Sequence, residues 1–314
     1  MPLMKILFMG TPDFAVFTLR ALVERGENVV GVVTQTDKPR GRGYELLPTP
    51  VKVYAQEHNI PVYQPKTLRG EEFAAQLAEI DPELIIVVAY GKILPVNVLE
   101  YPKHGCINVH GSLLPAYRGA APMQRAIMDG CATTGITTMY MAEGLDTGDM
   151  LLKAELPILD EDNFESIHDK LGALGAQTML DTLDALYAGT LVPEKQDDAL
   201  ANYAEKIQKS DLLLDFSLDA RTLHNHIRGT SPIPLSFTHL PGGSLLKVYA
   251  ARVYDEDKVH SAVPGTVVGL DGEILVACGK GTLALTEVIP EGKKRMGAAD
   301  YIRGRKINLG DLLS

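Results

Sequence analysis

Residues 106–122 read CINVHGSLLPAYRGAAP, and in them the amide of Asn108 stands two positions before the imidazole of His110. The run up to His110 reads as a strand, and alternation along a strand puts both side chains on one face. An amide beside an imidazole at a strand end suits carbonyl transfer. The amide donates to a developing oxyanion, and the imidazole gives or takes a proton near neutral pH. Taken alone, the two could also be polar groups satisfied by backbone. Residues 141–150, MAEGLDTGDM, add a carboxylate from a glycine-flanked loop. Asp146 could orient His110 from there. Asp149 could do the same, and either could instead be a turn or cap residue.

Cations gather in two further places. Residues 34–47, TQTDKPRGRGYELL, hold Lys38, Arg40 and Arg42 among two glycines and a proline. Glycine gives such a loop mobility and the cations give it phosphate affinity, so it reads as a ligand-contacting loop. Lys293, Lys294 and Arg295 lie near Arg303, Arg305 and Lys306 in the C-terminal third. The cluster could bind phosphates as a local patch, or it could be a solvated face.

The first half must position these groups. Short apolar runs at 5–10, 28–35, 60–64, 84–90, 106–110 and 134–141 alternate with helical patterns at about 11–24 and 71–79. Thr11 with Pro12 would cap and open the first helix. Strands of this kind, nearly all apolar, imply a parallel sheet covered on both faces, with ligands held beyond the carboxyl ends of the strands. Residues 163–187 predict a long amphipathic helix, with Asp162 and Glu165 as a capping-box-like start. The polar stretch after it reads as a linker at 189–205, between a domain at 1–188 and another at 206–314. The second domain shows short strands punctuated by Asp271-Gly272 and by 279–281, which predict hairpins and a small β-barrel. Gly10-Thr11-Pro12 lacks the GxGxxG pattern, so a dinucleotide fingerprint is not supported.

Composition sets the limits. The chain has 314 residues, 46% hydrophobic and 22% charged, which predicts two globular domains. Its apolar runs are too short to span a membrane, and its start lacks the features of a signal peptide. Three cysteines without metal-type spacing read as free thiols of a cytoplasmic protein. The net charge of −10 is uneven: residues 206–314 carry 14 Lys+Arg against 12 Asp+Glu and are slightly basic.

The blocks FMGTPDFA, TQTDKPRGRG, LIIVVAYGKILP, INVHGSLLPAYRGAAP, GLDTGDM and EGKKRMGAADYIRG run in order from residue 8 to residue 304. Together they resemble the methionyl-tRNA formyltransferase family of folate-dependent formyltransferases. The resemblance implies a Rossmann-like, doubly wound parallel-sheet α/β domain followed by an OB-like β-barrel that binds tRNA. Asn108, His110 and Asp146 match the catalytic trio. Ser112, Leu113, Leu114 and Pro115 match a segment lining the folate pocket. Arg42 matches a loop residue engaging the tRNA acceptor end, with Lys38 and Arg40 as neighbours, and the block holding Lys293, Lys294 and Arg295 narrows the acceptor to tRNA. The implied donor is 10-formyltetrahydrofolate, with no metal, and the implied acceptor is charged initiator methionyl-tRNA. A ribonucleotide or sugar-nucleotide amine is the alternative acceptor. A cytoplasmic monomer is expected. Where relatives carry a Trp and a Pro-Trp-Pro-Gly-like run, this chain has Phe216 and, at 232–235, PIPL.

Overall fold

The computed structural model describes residues 3–40 and 45–314. The chain divides into two compact units. Met1–Gly119, Thr134–Leu156 and His168–Tyr203 make the first, and Ala120–Thr133, Pro157–Ile167 and Ala204–Ser314 make the second.

In chain order the elements begin with β1 (Ile6–Gly10), α1 (Asp13–Arg25), β2 (Val29–Val33), β3 (Lys38–Arg40), β4 (Glu45–Leu47), α2 (Pro50–Glu57), β5 (Val62–Tyr63) and α3 (Glu71–Ile80). They continue with β6 (Leu84–Val88), α4 (Val96–Leu99), β7 (Cys106–His110), β8 (Arg118–Gly119), α5 (Pro122–Met128), β9 (Thr133–Tyr140), β10 (Met150–Pro157), α6 (Phe164–Ala188) and β11 (Tyr203–Ala204). One seven-stranded sheet runs in the order β10-β9-β7-β6-β1-β2-β5. Every residue of β1, β6 and β7 is buried; the unbroken apolar sequences of β1 and β6 require strands covered on both faces, and β7 buries Asn108 and His110 along with its apolar residues. Strand order reverses between β1 and β6, because the chain builds outward through β2 and β5 before returning to β6 and β7. A crevice opens at such a reversal, beyond the carboxyl ends of the strands.

The sheet is parallel from β5 to β7 and turns antiparallel at β7–β9, which departs from the all-parallel expectation. The link from β7 to β9 contains the short β8 and the short α5, and that helix packs on α7 (Ala220–Thr230) in the second unit. A strand reached without a helical crossover is free to run antiparallel.

Two helix starts differ from expectation. Thr11 does not cap α1; its hydroxyl donates to the carbonyl of Tyr90 (3.0 Å), tying the end of β1 to the end of β6. At α6 the box is shifted by one residue. Asn163 Oδ1 accepts from the Ser166 N–H (2.9 Å), and Ser166 Oγ accepts from the Asn163 N–H (3.1 Å). Part of the 34–47 segment also differs from a plain loop: β3 and β4 pair antiparallel, with Lys38 opposite Leu47.

Beyond α7 the second unit adds β12 (Phe237–His239), β13 (Leu245–Asp255), β14 (Val267–Gly269), β15 (Ile274–Ala277), β16 (Thr282–Pro290), β17 (Met296–Gly297) and α8 (Ala298–Arg303). They form a curled antiparallel sheet in the order β12-β13-β16-β15-β14, with β17 on β16. Register shifts along β13–β16 mark bulges, which bend a sheet. The hairpins fall where Asp271-Gly272 and the 279–281 segment predict them. Leu223 and Ile227 of α7 pack with Val248, Leu283, Leu285 and Tyr301 in one core, and Phe216 fills a place there. Burial pushes the Cys106 thiol up to about 12 and the Cys278 thiol up to about 11, so both stay protonated.

Candidate active site

Asn108 sits in β7 between Val87 of β6 and Met139 of β9. Two residues on, at the carboxyl end of the same strand, stands His110, and both side chains are buried, at 9% and 5% exposure. The chain then turns back beneath them. Ser112 donates from its hydroxyl to the Ala116 carbonyl (2.6 Å), and Thr137 of β9 bridges the loop. The Thr137 hydroxyl donates to the Ser112 carbonyl (2.8 Å) and accepts from the Leu114 N–H (3.0 Å). This places the Tyr117 carbonyl 2.9 Å from His110 Nε2. A carbonyl only accepts, so Nε2 carries the proton in that contact.

The other ring nitrogen, Nδ1, faces Asp146 Oδ2 at 3.7 Å. Asp146 adopts a positive φ of 53°, uncommon for a residue with a side chain. Its Oδ2 accepts from the Gly119 N–H (2.8 Å). Gly148 ends this turn where nothing larger fits, since a Cβ there would lie 1.8 Å from the Tyr140 carbonyl. Asp149, which the sequence leaves open as an alternative, is exposed.

Of the segment 112–115, Ser112 and Leu114 are turned inward, Leu114 packing with Met139 and Met150. Leu113 and Pro115 are partly exposed. Lys38 is exposed in β3, whereas Arg42 and the side chain of Arg40 lie outside the described residues. Lys293 and Lys294 are exposed. Arg295 is engaged within its own unit: it pairs with Glu287, and its guanidinium lies 3.6 Å from the ring centroid of Tyr249. Among the described residues no group of three or more His, Cys, Asp or Glu is gathered to hold a metal, and no helix is long and apolar enough to cross a membrane.

Residues 189–203, expected as part of a linker, belong to the first unit, where Glu194 pairs with Met150. Gln196 is buried there and reaches the Asp146 loop. Nothing in the polar stretch VPEKQDD marks that residue. Arg118, its partner, is distinguished in sequence only as the lone charge of its loop.

The fold is an open α/β sheet followed by a curled β-domain, and an amide, an imidazole and a carboxylate near the strand ends suit acyl-group transfer. The family profile for formyl transferase matches residues 4–183, and the profile for the formyl transferase C-terminal domain matches residues 206–306. The chain therefore belongs to the formyl transferase family. It is 50% identical over 309 residues to the methionyl-tRNA formyltransferase of Geobacter metallireducens, covering 98% of this chain and 97% of that one. In fold it is similar to an N-formyltransferase of Helicobacter canadensis solved with folinic acid and dTDP-3-aminofucose (TM-score 0.67, 17% identity, 90% of this chain and 99% of that one). It is also similar to HypX of Aquifex aeolicus solved with tetrahydrofolic acid (TM-score 0.63, 18% identity, 98% of this chain), and spans 48% of that longer protein.

Proposed function

We propose that this chain transfers the formyl group of 10-formyltetrahydrofolate to the free amine of charged initiator methionyl-tRNA, giving formylmethionyl-tRNA. What carries the reading is the half-identical match, over nearly the whole of both chains, to a protein named for that reaction.

The unprotonated amine attacks the formyl carbon, and a C–N bond forms as the carbonyl oxygen becomes an oxyanion. Asn108 donates its amide N–H to that oxygen, and His110 as a cation adds positive charge beside it. One such donor is typically worth about 3 kcal/mol. The amine nitrogen then gives up its extra proton, the bond to the folate nitrogen breaks, and that nitrogen takes a proton as tetrahydrofolate leaves. Asp146 faces Nδ1 of His110 and serves the proton traffic. Leu113 and Pro115 are the members of the 112–115 segment open to the folate. Lys38, Arg40 and Arg42 contact the acceptor end of the tRNA, and Lys293, Lys294 and Arg295 contact its backbone. The protein works as a monomer in the cytoplasm, without a metal.

The test offers the enzyme 10-formyltetrahydrofolate with three acceptors: charged initiator tRNA, a ribonucleotide amine and a sugar-nucleotide amine. Formylation of the tRNA alone is expected. Turnover of either small amine, with none on tRNA, would replace this reading.

A further inference from the structure

The Gln196 amide sits between two demands of opposite polarity. Its Oε1 accepts from Arg118 Nε (3.0 Å) and Nη2 (2.8 Å), and its Nε2 donates to the carbonyls of Asp146 and Gly148, each at 2.8 Å. A flipped amide would face donors with donors, so the orientation is determined by its partners. Gln196 is 6% exposed and Arg118 is 2% exposed. Arg118 also reaches the Asp198 carboxylate at 2.8 Å, so the buried cation is paired. The next residue, Gly119, holds the Asp146 carboxylate through its N–H. Both the backbone and the side chain of Asp146 are therefore referred to the 118–119 segment, one directly and one through Gln196.

We propose that Gln196 is a positioning residue for Asp146. By tying two carbonyls of a turn whose central residue has positive φ to a buried guanidinium, it sets where the carboxylate meets His110. The proposal rests on the reading that Asp146 serves His110 in formyl transfer. Misplacing a reacting group by about 1 Å can cost on the order of 100-fold in rate.

Gln196→Glu keeps an acceptor for Arg118 and removes both donors to the turn. Rates of formyl transfer to charged initiator tRNA are taken per folate-binding site, so loss of folded protein does not register. The expected result is a kcat lower by roughly 10- to 100-fold, with KM for donor and tRNA nearly unchanged. In an Asp146→Asn background the same substitution should cost less than about twofold, because its effect passes through the carboxylate. An equal loss in both backgrounds would make Gln196 merely structural and overturn the proposal, as would a wild-type kcat for the single variant. Wild-type activity in Asp146→Asn alone would instead overturn the role given to Asp146, and the clamp with it. If Gln196→Glu does not fold, Gln196→Leu is read by the same criteria.

Discussion

Nδ1 of His110 lies 3.7 Å from Oδ2 of Asp146, just outside hydrogen-bond length, while that same oxygen is held at 2.8 Å by the Gly119 N–H. The carboxylate is thus anchored by backbone and faces the imidazole without being spent on it. Asp146→Asn keeps an acceptor for Gly119 and removes the charge that faces Nδ1. We expect kcat to fall by about 100-fold or more, the usual scale for a group in proton transfer, with folate affinity little changed. A loss of folate binding at unchanged kcat would assign Asp146 to the donor pocket instead.

Asn108 and His110 are buried on one strand face, and each has a separate task in the proposed reaction. Asn108→Ala and His110→Ala should each lower kcat/KM by more than about tenfold, since a smaller loss, under ~1.4 kcal/mol, is less than one oxyanion donor supplies. Thermal melting should show both variants folded. A variant that retains over a tenth of the activity removes its residue from the oxyanion shell.

The sequence made legible what depends on local pattern. Strand alternation puts Asn108 and His110 on one face, and the turn residues mark the hairpin at Asp271-Gly272. It did not reveal contacts between remote segments. Gln196 touches the Asp146 loop 50 residues away in sequence, and no period or motif announces such a hydrogen bond. The cap of α6 at Asn163 rather than Asp162 is a one-residue matter, since several short polar side chains stand in a row and each is a competent cap. Thr11 likewise has the right chemistry for a cap and spends it on Tyr90 instead.

Lys293 and Lys294 are exposed near the end of β16, whereas Arg295 is tied to Glu287 and stacked on Tyr249. Replacing both lysines by alanine should raise KM for charged tRNA and leave that for folate alone. For every phosphate that a lysine no longer neutralises, the log–log salt dependence of tRNA binding should flatten by roughly 0.7–0.9. A salt slope equal to that of the wild type would make the two lysines a solvated face.

Gly229 of α7 lies against α5, and a Cβ there would stand 2.6 Å from Met128 Cγ and 3.1 Å from the Gln124 carbonyl. The methionine can move, but the backbone oxygen cannot without shifting α5. Gly229→Val should therefore destabilise the protein by roughly 1–3 kcal/mol, the cost of overpacking a tight helix pair. Urea denaturation measures it. A variant as stable as the wild type would show that α5 and α7 separate readily.

Acid should weaken the second unit through two histidines of α7. His224 donates from Nδ1 to the Ala251 carbonyl (3.0 Å), and both His224 and His226 bury Nε2 without a hydrogen-bond partner among the described residues. Burial holds both below the ordinary histidine value. For His224, Arg228 acts in the same direction and Asp160 against it; for His226, Arg125 acts with burial and Asp211 against it. The folded state therefore keeps these rings neutral, while the unfolded chain takes up protons near pH 6.5. The unfolded state then binds more protons, so stability is complete above about pH 6.5 and falls as pH drops towards the lowered folded values. Each ring can contribute at most about 1.4 kcal/mol per pH unit in that window. Asp160, hydrogen-bonded by Arg221, and Asp211, held by the Gln208 backbone N–H, sit below the usual carboxylate range and lose their contribution only at lower pH. Urea unfolding between pH 7.5 and 5.5 should show declining stability in the wild type. The slope should be shallower in His224→Gln and in His226→Gln, whose amides do not titrate. If both variants keep the wild-type slope, the acid sensitivity belongs to other groups and the buried rings are silent.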